Sequence, residues 1–183
     1  MIEPTTITTP RLVLRPYTLD DCEELAHAIN RREIYETTLN IASPYTPAHA
    51  RTYISGNDEA RRTERDLPCA IALKETGAIV GGIGLIVDRA MDRAELGYWV
   101  AVPHWGRGYA TEAARALIRH GFDVLKLNCI EAHHLAFNPA SGRVMLKAGM
   151  KYEGRLRQRA KKDGQYHDID MYSILRSEYE DSR

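Results

Sequence analysis

The stretch Trp105-Gly-Arg-Gly-Tyr-Ala-Thr111 is where the sequence most plainly offers chemistry. Strand-forming residues, Ala94 to Val102, lead into a loop, Pro103 to Gly108, and a helical pattern begins at Tyr109. The first N–H groups of a helix lack internal partners, and the helix dipole is positive at that end. Gly106 and Gly108 let the backbone turn tightly and approach an anion closely, and Arg107 and Arg115 add positive charge. The arrangement suits a phosphate-bearing ligand. The competing reading is a tight strand-to-helix turn that merely needs its glycines. A Walker A loop would require GxxxxGK followed by Ser or Thr, which is absent. A dinucleotide fingerprint would require GxGxxG after a βαβ strand. Here the loop reads Gly106-x-Gly108-x-Ala110 and follows a strand meander.

Upstream of that loop, Thr9 to Tyr17 alternates as a half-buried strand, and Thr18 or Asp20 can cap a following helix carrying Leu25, Ala26 and Ile29. Asn30 to Pro44 reads as irregular. Pro47 opens a helix to about Glu64, with Ala50, Tyr53, Ile54 and Asn57 on one face. Leu67–Leu73, Ala78–Val87 and Ala94–Val102 form an antiparallel meander, with Gly81, Gly82 and Gly84 weakening the middle strand or marking a bulge. From Tyr109, the residues Ala110, Ala113, Ala114, Leu117, Ile118, Gly121, Phe122 and Leu125 recur at helical spacing. Asn128–Phe137 reads as a strand. Asn138 as N-cap and Pro139 open another helix that Gly149 ends. Met150–Arg159 and Tyr166–Leu175 are closing strands around Asp163-Gly164, and Ser177–Arg183 reads as a polar tail.

These elements predict one mixed α/β domain over residues 1–183, with a core of about 9–175 and a tail at 176–183. The 25 basic and 25 acidic side chains cancel, which argues against a general nucleic-acid coat. The longest apolar run, Ile79 to Val87, is nine residues with three glycines, whereas a membrane-spanning helix needs about 20. Met1 to Thr6 has neither the basic nor the apolar region of a secretory signal. Cys22, Cys69 and Cys129 are widely spaced with no CxxC, so neither a disulfide framework nor a structural zinc site is expected, and a reducing cytoplasm is the natural setting.

The stretch Glu95 to Ala113 resembles the acetyl-CoA motif of the GNAT N-acetyltransferase superfamily. That family's loop reads Gln/Arg-x-x-Gly-x-Gly/Ala, and here Trp105-Gly106-Arg107-Gly108-Tyr109-Ala110 aligns with Trp in the first position. That departure removes a charge or hydrogen bond while leaving the backbone cradle. Glu95-Leu-Gly-Tyr-Trp99, Trp105 to Ala113, Asn138-Pro-Ala-Ser141 running to Gly149-Met150, and the opening Thr9-Pro-Arg-Leu-Val-Leu-Arg15 are similar to the ribosomal-protein N-terminal, or Rim-type, branch. The resemblance spans roughly Thr9 to Leu175. It implies a mostly antiparallel sheet of about seven strands flanked by about four helices, with the acetyl-CoA loop between a meander strand and the central helix. It also implies acetyl-CoA as co-substrate and a primary amine as acceptor. No metal is expected, because His133 and His134 lack a partner carboxylate at ligand spacing. The charge balance and apolar runs give no reason to expect a nucleic-acid or membrane partner. A homodimer follows from the resemblance alone.

The implied reaction is direct attack of an amine on the thioester. The pyrophosphate falls to the backbone of Gly106 to Thr111, and the pantetheine amides to the strand edge at Tyr98, Trp99 and Val100 and to Asn138. An N–H near Val100 would stabilise the thioester oxygen. Glu95, with Gly97 and Trp99 as its period-two companions, is the preferred proton acceptor, directly or through a water. His104, His133 and His134 are rivals, and His133 and His134 point to opposite faces of their strand, so at most one faces the site. Ser141 or a tyrosine would return a proton to the CoA sulfur. Ser141 can equally complete the helix N-terminus, and Tyr98, Tyr109 and Tyr152 rank behind it as donors. Tyr35, Glu36, Tyr45 and Tyr53 are candidates for the acceptor rim, where Glu33 and Glu36 would attract an ammonium group or simply be solvated. The basic segment Lys151, Arg155, Arg157, Arg159, Lys161 and Lys162 suits an acidic partner, the 3′-phosphate of CoA, or a solvated hairpin. The acceptor stays open between a protein N-terminus and a small amine such as a polyamine, amino sugar or antibiotic. A CoA-binding sensor without catalysis is the alternative from another class.

Overall fold

A computed structural model describes residues 6–63 and 65–181. The strands are β1 (Ile7–Thr8), β2 (Leu12–Arg15), β3 (Asp66–Leu73), β4 (Ile79–Asp88), β5 (Arg93–Val100), β6 (Cys129–Leu135), β7 (Lys151–Lys162) and β8 (Gln165–Leu175). The helices are α1 (Cys22–Ile29), α2 (Arg32–Thr37), α3 (Pro47–Arg62), α4 (Tyr109–Asp123), α5 (Pro139–Lys147) and α6 (Arg176–Asp181). The strands form one eight-stranded sheet in the order β1-β2-β3-β4-β5-β6-β8-β7.

Every neighbouring pair is antiparallel except β5 and β6, which α4 joins as a crossover. That parallel pairing covers only Arg93–Glu95 against Cys129–Glu131. Beyond it the two strands diverge. Alternation along each strand sends neighbours to opposite faces. Cys69 and Ile71 of β3 join the core under α4, which contains Leu85, Leu96, Ala114, Leu117 and Phe122. Ala70, between them, joins Tyr17, Leu25, Ala50 and Ile54 under α1 and α3. The sheet thus separates an α4/α5 face from an α1/α3 face, and the divergence of β5 and β6 is the break that connects them. On the α1/α3 face Gly82 leaves room for its neighbours, because a Cβ there would collide with the Tyr17 hydroxyl and the Trp99 indole. The register between β3 and β4 shifts here as expected of a bulge: Ile71 pairs with Gly81 and Ala72 with Ile79, so Val80 of β4, next to Gly81, is the extra residue.

Several elements differ from the sequence-based expectation. The short strand β1 brings the count to eight. Within the segment expected to be irregular, Arg32–Thr37 is helical, anchored by the buried Ile34. The expected polar tail begins with helix α6, whose Tyr179 ring stacks on Phe122 at 5.0 Å. Arg176 also donates to the carbonyls of Phe122 at 3.0 Å and Leu127 at 2.5 Å, closing the α4–β6 connection. Thr18 caps the short turn Leu19–Asp21 that leads into the first helix, its N–H donating to the Asp21 carboxylate at 2.7 Å and Asp21 N–H to Thr18 O at 3.0 Å. Asp21 takes the N-cap position of α1 itself, with Arg15 holding its carboxylate through bonds of 2.7 and 2.8 Å. The expectations for Met1–Thr5, Glu64 and residues 182–183 lie outside the described residues.

Candidate active site

Past Glu95 and Glu131, β5 and β6 share no register, and a cavity of about 720 Å³ opens between them. Ala101 N–H donates to Val80 O at 2.9 Å. Antiparallel alternation therefore turns the N–H and C=O of Tyr98 and Val100 away from β4 and toward this cleft. A strand edge turned to a cleft in this way can pair with an extended, amide-bearing chain. Trp105 bears on the same edge. Its indole N–H donates to Val100 O at 2.6 Å, so the side chain does make a hydrogen bond, directed into the protein and pinning the loop to the end of β5.

The loop has the conformation its glycines allow. Gly106 and Gly108 have φ of 74° and 79°, in the left-handed region, and Gly108 is the N-cap of α4. Glu112 N–H is the first in the helix to find a carbonyl partner, Gly108 O at 3.0 Å. The N–H groups of Tyr109, Ala110 and Thr111 precede it, and among the described residues no carbonyl accepts from them. A Cβ at Gly106 would meet nothing within 4 Å, so the front of the loop is open. Arg107 is exposed. Arg115 donates to Lys147 O at 2.9 and 2.5 Å, which commits its guanidinium to the end of α5 rather than to the loop.

Two pairs of polar side chains flank the cleft on opposite faces. On the α1/α3 face, Glu95 Oε1 lies 3.3 Å from His133 Nδ1. On the α4/α5 face, the Tyr98 hydroxyl bonds Ser141 O at 2.9 Å and Ser141 Oγ at 2.8 Å. Burial pushes the Tyr98 phenol well above its ordinary range, so it stays protonated. Tyr98 thus belongs beside Ser141. His134 points away from Glu95, as strand alternation requires. Its Nδ1 bonds Leu135 O at 2.8 Å and its ring packs 5.5 Å from Tyr172. His104 borders the cavity near Tyr109, and burial followed by the nearby Arg107 lowers its pKa. Asn138 occupies the N-cap position of α5, but its side chain makes no capping bond and borders the cavity instead. Ser141 N–H bonds the Asn138 backbone O at 3.1 Å.

Residues 11–151 match the family model described as "Acetyltransferase (GNAT) domain". The chain belongs to the GNAT acetyltransferase family. It is 34% identical over 176 residues to the uncharacterised N-acetyltransferase p20 of Bacillus licheniformis, covering 95% of this chain and 98% of that protein. It is 34% identical over 82 residues to the ribosomal-protein-serine acetyltransferase of Escherichia coli, covering 45% of this chain and 46% of that protein. Among solved structures it is similar to Mycobacterium smegmatis RimJ in complex with CoA-disulfide, with a TM-score of 0.85 and 25% identity, covering 96% of this chain and 89% of that one. As a GNAT member the chain is an acetyl-CoA-dependent N-acetyltransferase. Its loop fits the phosphates of that co-substrate, because unpaired N–H groups and an open glycine turn meet at one helix start.

Two features of this GNAT cleft escaped the sequence. The first is a clamp behind the loop. Glu112 accepts from Thr9 Oγ1 at 2.7 Å, Arg11 N at 2.9 Å and Arg11 Nε at 2.6 Å, and Arg11 Nη1 donates to Arg107 O at 2.9 Å. Burial alone would raise the Glu112 carboxyl, but the bonds from Thr9 and Arg11 outweigh it and hold it below the ordinary carboxylate range. The Arg11 guanidinium also lies 4.8 Å from the Tyr109 ring centre. The second feature is Asp66, which borders the cavity with Tyr53 on the α1/α3 face. The other residues expected at the acceptor rim are engaged elsewhere. Tyr35 donates to Asp163 at 2.5 Å beneath Lys162, Glu36 pairs with Arg32 at 2.6 Å, and Tyr45 packs against the Tyr17 cluster. In the basic hairpin, Arg155 pairs with Asp170 at 2.8 Å and Lys151 with Glu178 at 2.6 Å.

Proposed function

We propose that this transferase acetylates the N-terminal amine of a protein or peptide. The observation that carries the reading is the pairing across the cleft, with Glu95 and His133 on one face and Ser141 and Tyr98 on the other, beside a phosphate-binding loop. The amine nitrogen attacks the thioester carbon while Glu95 takes its proton, directly or through a water, with His133 orienting the carboxylate. The Val100 N–H faces the gap where the thioester oxygen gains charge. As the C–S bond breaks, the sulfur gains a proton from the Ser141 and Tyr98 hydroxyls, which share one hydrogen bond. The strand edge at Tyr98 to Val100, with Asn138, holds the pantetheine arm. The loop from Trp105 to Thr111 holds the phosphates.

The cleft reaches the surface at Ile86, which is 58% exposed, and an open rim suits a chain end presented by a larger molecule. Sequence similarity to a ribosomal-protein-serine acetyltransferase favours the same acceptor. A cytoplasmic setting is part of the same reading. The test is thiol release from acetyl-CoA in the presence of peptides with free or blocked N-termini. Free N-termini should give turnover, which Glu95→Gln lowers by roughly 100-fold or more. Acetyl-CoA binding without thiol release from any amine would leave a CoA-binding sensor.

A further inference from the structure

We infer that the acceptor arm of the cleft is a trench that selects an amine carrying a second positive charge, held at Asp66. This rests on the reading that acetyl transfer occurs at the Glu95 end. Strand register builds the trench. Asp66 of β3 stands opposite Ile86 of β4, and Ile86 opposite Glu95 of β5, so both carboxylates rise from one cross-strand row on the α1/α3 face. The adjacent row is Pro68, Gly84 and Gly97. It has almost no side chains, and a Cβ at Gly97 would meet nothing within 4 Å. Glycine facing glycine across a sheet marks a place where another chain can lie against the backbone. The Asp66 carboxylate leans over this row, with Oδ1 3.7 Å from the position a Gly84 Cβ would take.

The charges of the cavity are sorted by face. On the acceptor side the formal charges are Asp66 and Glu95, while the cations Arg143 and Lys147 lie on α5, with the phosphate loop. His133 faces Glu95, which engages it at 3.3 Å. No cation pairs with Asp66 among the described residues, and its hydrogen-bond partner is the Leu67 N–H. A half-buried carboxylate without a cation costs free energy that a bound cation returns. Two interstrand steps separate the backbones of Asp66 and Glu95, about 10 Å. A lysine or arginine near an acceptor's N-terminus spans that distance, as does an α,ω-diamine of about eight carbons. The shared chemistry is a second ammonium or guanidinium group at that reach.

Initial rates at saturating acetyl-CoA test both sources. The peptides begin Ser-Lys, Ser-Gln or Ser-Glu, and 1,8-diaminooctane is set against octylamine. A KM at least tenfold lower for the doubly charged acceptor in either arm supports the inference, and the arm that shows it identifies the source. Asp66→Asn should collapse that ratio toward one, and Asp66→Lys should turn it toward Ser-Glu. Gly97→Val, at a site with room for a side chain, should raise the acceptor KM but not the acetyl-CoA KM. Acetylation of every amine without charge preference, or a preference that survives Asp66→Asn, overturns the trench and leaves the transferase standing. Acetyl-CoA binding with no amine acetylated overturns both.

Discussion

Asp66 should cost the protein stability, and removing its charge should return it. Burial raises its carboxyl from an ordinary 3.8 to about 6, with only the Leu67 N–H opposing. At about 1.4 kcal/mol per pH unit that corresponds to roughly 3 kcal/mol. Residual contact with water reduces it to about 1–2 kcal/mol. The sign follows from proton counting. Between about pH 4 and 6 the folded chain binds more protons at this site than the unfolded chain, so stability falls as pH rises through that window. Asn is nearly isosteric and still accepts from Leu67 N–H. Asp66→Asn should therefore match the parent near pH 4 and exceed it at pH 7.5, by roughly 2–8 °C in Tm for a chain of this size. Calorimetry of both proteins at the two pH values reads this directly. A Tm gap of the same size at pH 4, or an Asn variant less stable at pH 7.5, would refute the unpaired buried carboxylate.

Other consequences of the site are equally measurable. Gly108→Glu forces a side chain into φ of +79° and sets a carboxylate at the phosphate cradle, so calorimetric titration should show acetyl-CoA binding lost; unchanged affinity would sink the assignment of the loop. Ser141→Ala removes the hydroxyl bonded to Tyr98, and kcat should fall at least tenfold with the acetyl-CoA Kd within about threefold. A pure loss of affinity would return Ser141 to holding the start of α5. Arg11→Ala releases the bond to Arg107 O and the pair with Glu112, so the acetyl-CoA KM should rise roughly tenfold while kcat at saturation changes little. An equal fall in kcat would mean the clamp does more than place the loop.

What could be read from the residues was what acts locally. Gly106, Gly108 and the start of α4 are neighbours in the chain, and the physics of a helix N-terminus needs nothing else. Alternation along β6 puts His133 against Glu95 and His134 on the other face, but the expectation that at most one would face the site does not hold, because both border the cavity that opens where β5 and β6 diverge. The rest depends on residues distant in sequence. Arg11 and Glu112 meet across 101 positions, and no local pattern in either segment reports the other. Helices α2 and α6 are short and weakly patterned, and they stand because Ile34 is buried and Tyr179 finds Phe122. Asn138 has the residue type of an N-cap, yet the backbone oxygen does that work and leaves the amide at the cavity. Asp66 is the clearest case. Beside Leu67, Pro68 and Cys69 it reads as the polar start of a buried strand. Its place in a row with Glu95 exists only once β3, β4 and β5 are in register. Backbone pairing brings those two carboxylates to one trench, so acceptor selection resides in the sheet's register more than in any contiguous motif. A bulge that shifted β3 by one residue would send Asp66 to the opposite face and abolish the preference without altering one atom of the acetyl-CoA loop.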